Sequence, residues 1–335
     1  MARLTAGPAA RRLWMAAAAL LAVAAAGLWQ SHTGAAAAMR FDKPITIVVT
    51  FPPGGGTDLL ARRLGTALQE RIGQSVVVDN RPGASGNIGA RIVAEAAPDG
   101  TSLLMANSSF AINPGVYREL GFDPLKDFKA VFNAGTIASV LVVPESSGIH
   151  SLADMLAQAS HDRPLAFASC GNGTPQHMAG EMLAQVTGAS MQHVPYKGCG
   201  PAITAVAAAQ VPLGMVTASS ATPLIDAGRA RAIAVTASTR VASLPDVPTL
   251  AEQGVTGFAV EQRHGLLAPA ATPEAAVVRL HRELTQILAE PAMQQSLRTQ
   301  GYTLVRQSSE QFGQLIEADM ERYAAVTAQL GLKAD

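Results

Sequence analysis

Two glycine-rich loops hold the residues best suited to chemistry. The first, PPGGGTD at 52–58, follows an apolar run rich in β-branched residues and precedes a helical pattern. Without side chains, Gly54, Gly55 and Gly56 let backbone N–H groups come close to a ligand, and a helix start adds unpaired donors and partial positive charge. The group that suits such a loop is a carboxylate or a phosphate. Neither G-x-G-x-x-G nor G-x-x-x-x-G-K-[ST] is present, so the loop is weak evidence for a nucleotide. The competing reading is a tight turn that merely needs glycine. Thr57 and Asp58 enter the first helical turn, where an acid more often stabilises the helix start than acts as a base.

The second loop, SCGNGTPQH at 169–177, repeats the arrangement after another apolar run. Ser169, Asn172 and Gly173 lead into Thr174-Pro175, which reads as a helix cap followed by proline at the first helical position. His177, one step further on, reads as a supporting hydrogen-bonding or surface residue rather than a catalyst. Two such loops in separate halves of one chain suggest a ligand held between lobes. At Gly55 and Gly173 an added side chain is expected to obstruct its approach. A third segment, HVPYKG at 193–198, places Tyr196 and Lys197 in a loop as a hydrogen-bonding group and an anion-attracting group, with a solvated turn as the alternative.

These loops need rigid elements around them. ITIVVTF (45–51), SVVVD (75–79), SLLMA (102–106), VLVVP (140–144), LAFAS (165–169), PLGMVT (212–217) and AIAVT (232–236) read as strands buried on both faces, with helical segments between most of them. The expected class is α/β with mostly parallel sheets. Ser151 with Asp154, and Thr272 with Pro273, open two helices, and the pattern after 272 is helical to the end. No fixed repeat or low-complexity linker divides the chain, so any lobes are separated by topology.

The chain has 335 residues, enough for two domains, with Lys+Arg and Asp+Glu both at 25, which argues against a nucleic-acid binder. Arg11 and Arg12 precede a seventeen-residue alanine-rich apolar run and a small-residue segment ending at Ala38. That order is a secretory signal, cleaved near Ala38. The alternative, a membrane anchor, needs a longer and more apolar run. Either the general export route or a twin-arginine address fits. No metal-ligand spacing, nucleophile elbow or cofactor motif is visible. Export places Cys170 and Cys199, the only cysteines, in an oxidising compartment after strands expected to be neighbours, so a disulfide is expected, with two free thiols as the alternative.

Several segments together resemble the Bug family, the extracytoplasmic receptors of tripartite tricarboxylate transporters: ITIVVTFPPGGGTDLLARRL, VVVDNRPGASGNIGA, PDGTSLLMANSSFAINPGVY, FASCGNGTPQHMAGE, HVPYKG and LPDVPTLAEQG, in order between Lys43 and Gly301. The resemblance implies a two-lobed type II periplasmic-binding-protein (Venus flytrap) fold, with 39–141 and 262–335 as one lobe and 142–261 as the other. It implies a monomeric periplasmic receptor, without cofactor or catalysis, that passes a small carboxylated solute to permease subunits. A receptor serving a membrane sensor and an exported enzyme are the alternatives. Carried over, the first-lobe site is Gly54, Gly55, Gly56, Thr57 and Asp58 with Ser108 and Phe110. The second-lobe site is Ser169, Asn172, Gly173, Thr174 and His177 with Tyr196 and Gly198. The stretch 205–214 and both cysteines depart from the family pattern, which bears on local contacts and ligand identity.

Overall fold

Short aliphatic and β-branched runs that stop at glycine, proline or asparagine become strands here, and leucine and alanine at helical spacing become the helices between them. In the computed structural model, which describes residues 41–159 and 163–334, β1 (Ile45–Val49) leads into α1 (Gly56–Ile72), β2 (Val76–Asn80) into α2 (Asn87–Ala94), and β3 (Ser102–Asn107) into the single turn α3 (Ser109–Ile112). The long β4 (Phe128–Pro144) carries the chain into α4 (Leu152–Gln158), β5 (Leu165–Ser169), α5 (Pro175–Thr187), β6 (Met191–Pro195), α6 (Cys199–Ala207), β7 (Leu213–Thr217), α7 (Ala218–Asp226) and β8 (Ala230–Val235). β9 (Glu261–Pro269) brings it back to α8 (Glu274–Ala289), α9 (Pro291–Thr299), the two-residue β10 (Tyr302–Thr303) and α10 (Ser309–Leu330). The export signal read at 1–38 lies outside the described residues.

The strands run in the order β2-β1-β3-β9-β4-β7-β5-β6, with β8 and β10 also pairing with β4. β1 is parallel to β2 and β3, and β5 is parallel to β6 and β7. β9 and β4 are antiparallel to their neighbours. The sheets are therefore mixed rather than mostly parallel. The reason is topological: one strand leaves the first lobe and another returns to it, so the two run in opposite directions. β4 pairs with β9 over Phe128–Ala138 and with β7 from Ser139 onward, so it crosses between lobes at that step. Register shifts between Ala130 and Phe132, and between Asn133 and Gly135, bend the strand on its way.

The largest buried cluster runs through both lobes, joining Ile45 and Leu64 to Val206 and Val216. Leu60, Leu64 and Leu68 of α1 are buried in one cluster with Ile45 and Ile47 of β1, and each fully buried leucine contributes roughly 1.5–3 kcal/mol. In the second lobe Leu183, Leu213 and Met215 pack with Phe167, whose ring sits against Gly180 so closely that no Cβ fits there. Thr174 caps α5, accepting a hydrogen bond from the His177 N–H at 3.3 Å, with Pro175 at the first helical position as expected. Ser151 likewise caps α4 through the Asp154 N–H. At α8 the helix starts one residue later than the sequence suggests: Pro273 occupies the cap position and Thr272 makes no cap bond.

Candidate functional site

Four helices begin at one cleft. The N-terminal ends of α1 (Gly55, Gly56, Thr57), α5 (Thr174, Gln176), α6 (Gly198 to Pro201) and α7 (Thr217) all line it. The first-turn N–H groups of a helix have no acceptor within that helix, and each helix N-terminus carries about half a positive charge. Among the described residues no Asp or Glu lines the cleft, so none of them there opposes an anion. It is small, about 40 Å³, and shares Phe51, Pro52, Cys170, Lys197 and Gly198 with an outer chamber of about 400 Å³. The outer chamber is walled by Pro82, Ser85 and Tyr117 from the first lobe and by Asn172, Pro195 and Tyr196 from the second. Lys197 is exposed at the junction of the two spaces.

The remaining residues singled out in the sequence support these walls. Asp58 is buried and faces its own loop: its carboxylate accepts from the Gly54 N–H at 2.8 Å, Arg62 Nε at 3.1 Å and Asn80 Nδ2 at 2.9 Å. Burial opposes its charge, but the hydrogen bonds from Arg62, Gly54 and Asn80 outweigh that and hold the carboxyl below its ordinary value. Asp58 thus fixes the shape of the glycine loop. Ser169, fully buried, pairs with His193 Nε2 at 2.6 Å and accepts from the Gly171 N–H at 3.1 Å. His177 Nδ1 accepts from the Gly173 N–H at 3.3 Å, and its ring stacks on that of His193 with centroids 3.7 Å apart. Ser108 and Phe110 line a separate hollow beside Arg263 and Asp319, where the Ser108 hydroxyl accepts from the Arg263 N–H at 2.8 Å. In their place Asn107 reaches the cleft.

Cys170 and Cys199 are joined by a disulfide with Cα atoms 4.3 Å apart. Their strands make this possible: β5 and β6 pair in parallel, and the backbone bonds Tyr196 N–H to Ser169 O and Gly198 N–H to Cys170 O continue that pairing past the strand ends. The bridge ties the first residue of α6 to the loop before α5, and both cysteines line the cleft.

Gln176 and Gln262 also line the cleft floor, and nothing in the sequence reading marked them. For Gln176 a signal existed, because the Thr174-Pro175 cap places it in the first turn of α5. Gln262 lies on β9, whose mixed polar sequence EQRHGLLAP conceals a strand.

The lobes touch across the cleft. Ser85, in the left-handed region at φ 50°, donates from its hydroxyl to the carbonyl of Asn172 and accepts from Tyr117 Oη at 3.2 Å. Asn113 Nδ2 holds the Ser85 carbonyl at 3.0 Å. Gly173, at φ +68°, lies so near Asn113 that a Cβ would come within 2.6 Å of its Oδ1. A Cβ on Gly56 would meet Ser219 Oγ at 2.7 Å, whereas one on Gly55 meets only the Pro52 carbonyl at an ordinary 3.7 Å. A Cβ on Gly55 therefore meets no clash within the protein, and the space it would enter belongs to the cleft that Gly55 lines.

Known proteins share this architecture. BugT of Bordetella pertussis is 33% identical over 319 residues, 93% of this chain and 98% of that protein. R. palustris Rpa4515, solved with adipate, superimposes with a TM-score of 0.84 at 33% identity, over 88% of this chain and 99% of that one. MatC (Rpa3494) from Rhodopseudomonas palustris, solved with bound malate, gives 0.78 at 29% identity, over 85% and 99%. Residues 60–332 match the model of the tripartite tricarboxylate transporter family receptor, TctC. With two α/β lobes, crossing strands between them and a cleft ringed by helix starts, this chain belongs to the tripartite tricarboxylate transporter receptor family.

Proposed function

We propose that the chain is an exported receptor that takes a small organic carboxylate into the cleft, closes its lobes over it and presents it, as a monomer, to the permease subunits of a tripartite tricarboxylate-type transporter. The observation that carries this reading is the meeting of four helix N-termini at a cleft with no acidic residue. The carboxylates in two similar solved structures, adipate and malate, agree with it. The lobes are taken as 39–141 with 262–335, and 142–261. In this reading the backbone donors of the α1 and α6 starts hold one carboxylate, and Asn172, Tyr196 and Lys197 face the remainder of the solute in the outer chamber. Asp58, Ser169 and His177 shape the loops. Binding leaves the solute chemically unchanged, and residues 1–38 are removed on export to the periplasm.

Protein recovered from the periplasm of an expressing bacterium, screened by thermal shift against small carboxylates, tests this. A ligand present at 100 times its Kd adds about 2.7 kcal/mol, which raises Tm by roughly 5 °C or more in a protein of this size. Mass spectrometry of the same sample is expected to show a chain beginning near residue 39, and chromatography of the released ligand is expected to return it intact. No shift with any carboxylate, or a transformed ligand, overturns the reading.

A further inference from the structure

The floor of the cleft is a buried chain of polar side chains that runs from one lobe to the other. Thr57 Oγ1, at the start of α1, lies 3.1 Å from His264 Nε2, which lies 2.8 Å from Gln262 Nε2. Gln262 Oε1 accepts from Gln176 Nε2 at 3.0 Å, and the same nitrogen donates to Ser139 Oγ at 2.9 Å, where β4 crosses between the lobes. His264 is wholly buried, and because the Gln262 amide nitrogen faces its Nε2, that atom acts as the acceptor in this chain and the ring proton sits on Nδ1. That choice propagates. Gln262 must turn its amide N–H toward the ring and its carbonyl toward Gln176, and Gln176 must spend both N–H groups, one on Gln262 and one on Ser139.

Two groups of the chain are left over, His264 Nδ1 and Gln176 Oε1, and of the two residues only Gln176 lines the cleft. Gln176 is 0% exposed and lines the cleft, yet its Oε1 has no hydrogen-bond partner. A buried carbonyl without a partner is costly unless the group that occupies the site supplies a donor. It lies among helix N-termini suited to a carboxylate, and a carboxylate oxygen has no hydrogen to offer it. The donor must come from a substituent next to that carboxylate. An ammonium would sit among the positive ends of four helices with no acid in the cleft to balance it, whereas a hydroxyl donates without adding charge.

We propose that Gln176 determines specificity, its Oε1 accepting a hydrogen bond from a hydroxyl beside the bound carboxylate, so that this receptor selects 2-hydroxy carboxylates. This rests on the carboxylate-receptor reading above. A site built to bond a hydroxyl rejects the analogue lacking it more strongly than a shape mismatch would, because the buried acceptor is then left unpaired.

The test is a calorimetric titration of the exported protein with matched pairs of three to six carbons that differ only at the 2-position. Malate is set against succinate and lactate against propionate, with aspartate as the ammonium arm. The better enantiomer of a hydroxy acid is expected to bind at least tenfold tighter than its deoxy partner and tighter than the amino acid. Gln176→Met, close in volume but without the acceptor, is expected to bring the hydroxy-to-deoxy ratio near one while deoxy binding changes less. Equal binding of hydroxy and deoxy partners by the wild-type protein overturns the proposal without any variant, and leaves the carboxylate reading standing. A preference for the ammonium arm, or a ratio unchanged in Gln176→Met, also overturns it. If no carboxylate binds, the carboxylate reading itself fails.

Discussion

His177 and His193 stack beneath the loop that carries Gly173, and neither can take a proton cheaply. Burial lowers His177 to about 4, and burial together with the neighbouring His177 ring lowers His193 to about 3. His264 at the cleft floor is held at about 3 by burial. Protonating His177 would also remove the Nδ1 lone pair that accepts the Gly173 N–H. The sign follows from proton binding: between an unfolded value near 6.5 and the folded values near 3–4, the unfolded chain binds protons that the folded chain refuses. Stability is therefore complete above about pH 6.5 and falls as pH drops toward 4, by on the order of 1 kcal/mol per pH unit for each histidine. Glu181, 3.7 Å from His177 Nε2, is raised by burial and works in the opposite direction, but it is one group against three. Denaturant unfolding from pH 7.5 to 4.5 measures the slope, and a flat profile between 6.5 and 5 would show that these rings are not buried as neutral groups.

At the scale of elements, what the sequence revealed depended on how far each strand or helix is defined by its own residues. β1, β3, β5 and β7 are continuous apolar runs because both their faces are covered, and those runs were legible. The caps of α4 and α5 were legible because Ser151 and Thr174 act on residues three positions away. β9 and the first half of β4 were not, since glycine, asparagine, arginine and histidine interrupt them and their pairing is with each other across more than a hundred residues. The cleft floor inherited that gap, because Gln262 and His264 lie on β9. The disulfide was foreseeable because parallel β5 and β6 bring both cysteine-bearing loops to one edge. A bridge closing 29 residues removes about 3–4 kcal/mol of chain entropy from the unfolded state. Reduction is thus expected to lower Tm by roughly 6 °C and to weaken carboxylate binding, since it frees the α6 start from the loop before α5. Calorimetry with and without reductant measures both, and two alkylatable thiols in the unreduced, denatured protein would remove the basis of the prediction.

The whole molecule works through the fit of its two lobes, and its glycines divide according to which lobe they face. Gly173 approaches Asn113 of the opposite lobe, and Gly56 approaches Ser219, whereas Gly55 faces open space beside Pro52. A methyl group at the first two positions must displace Asn113 Oδ1 or Ser219 Oγ, or else hold the lobes apart by a few tenths of an ångström. That gap would separate Ser85 from the Asn172 carbonyl and disturb the polar chain through Gln176 and Gln262. Closure adds binding energy only if those contacts form, so the open state of such a variant should fold and still fail to hold its ligand. Gly56→Ala is the cleaner probe, because Gly56 begins a helix and alanine suits that backbone, whereas Gly173→Ala also strains a left-handed position. Both are expected to lose at least about tenfold in affinity, near 1.4 kcal/mol, for the best carboxylate of the thermal-shift screen. Solution scattering adds a readout of shape: ligand should contract the wild-type protein and leave Gly56→Ala less contracted. Wild-type affinity together with full contraction in Gly56→Ala and Gly173→Ala would show that the lobes do not need these close approaches to grip a solute.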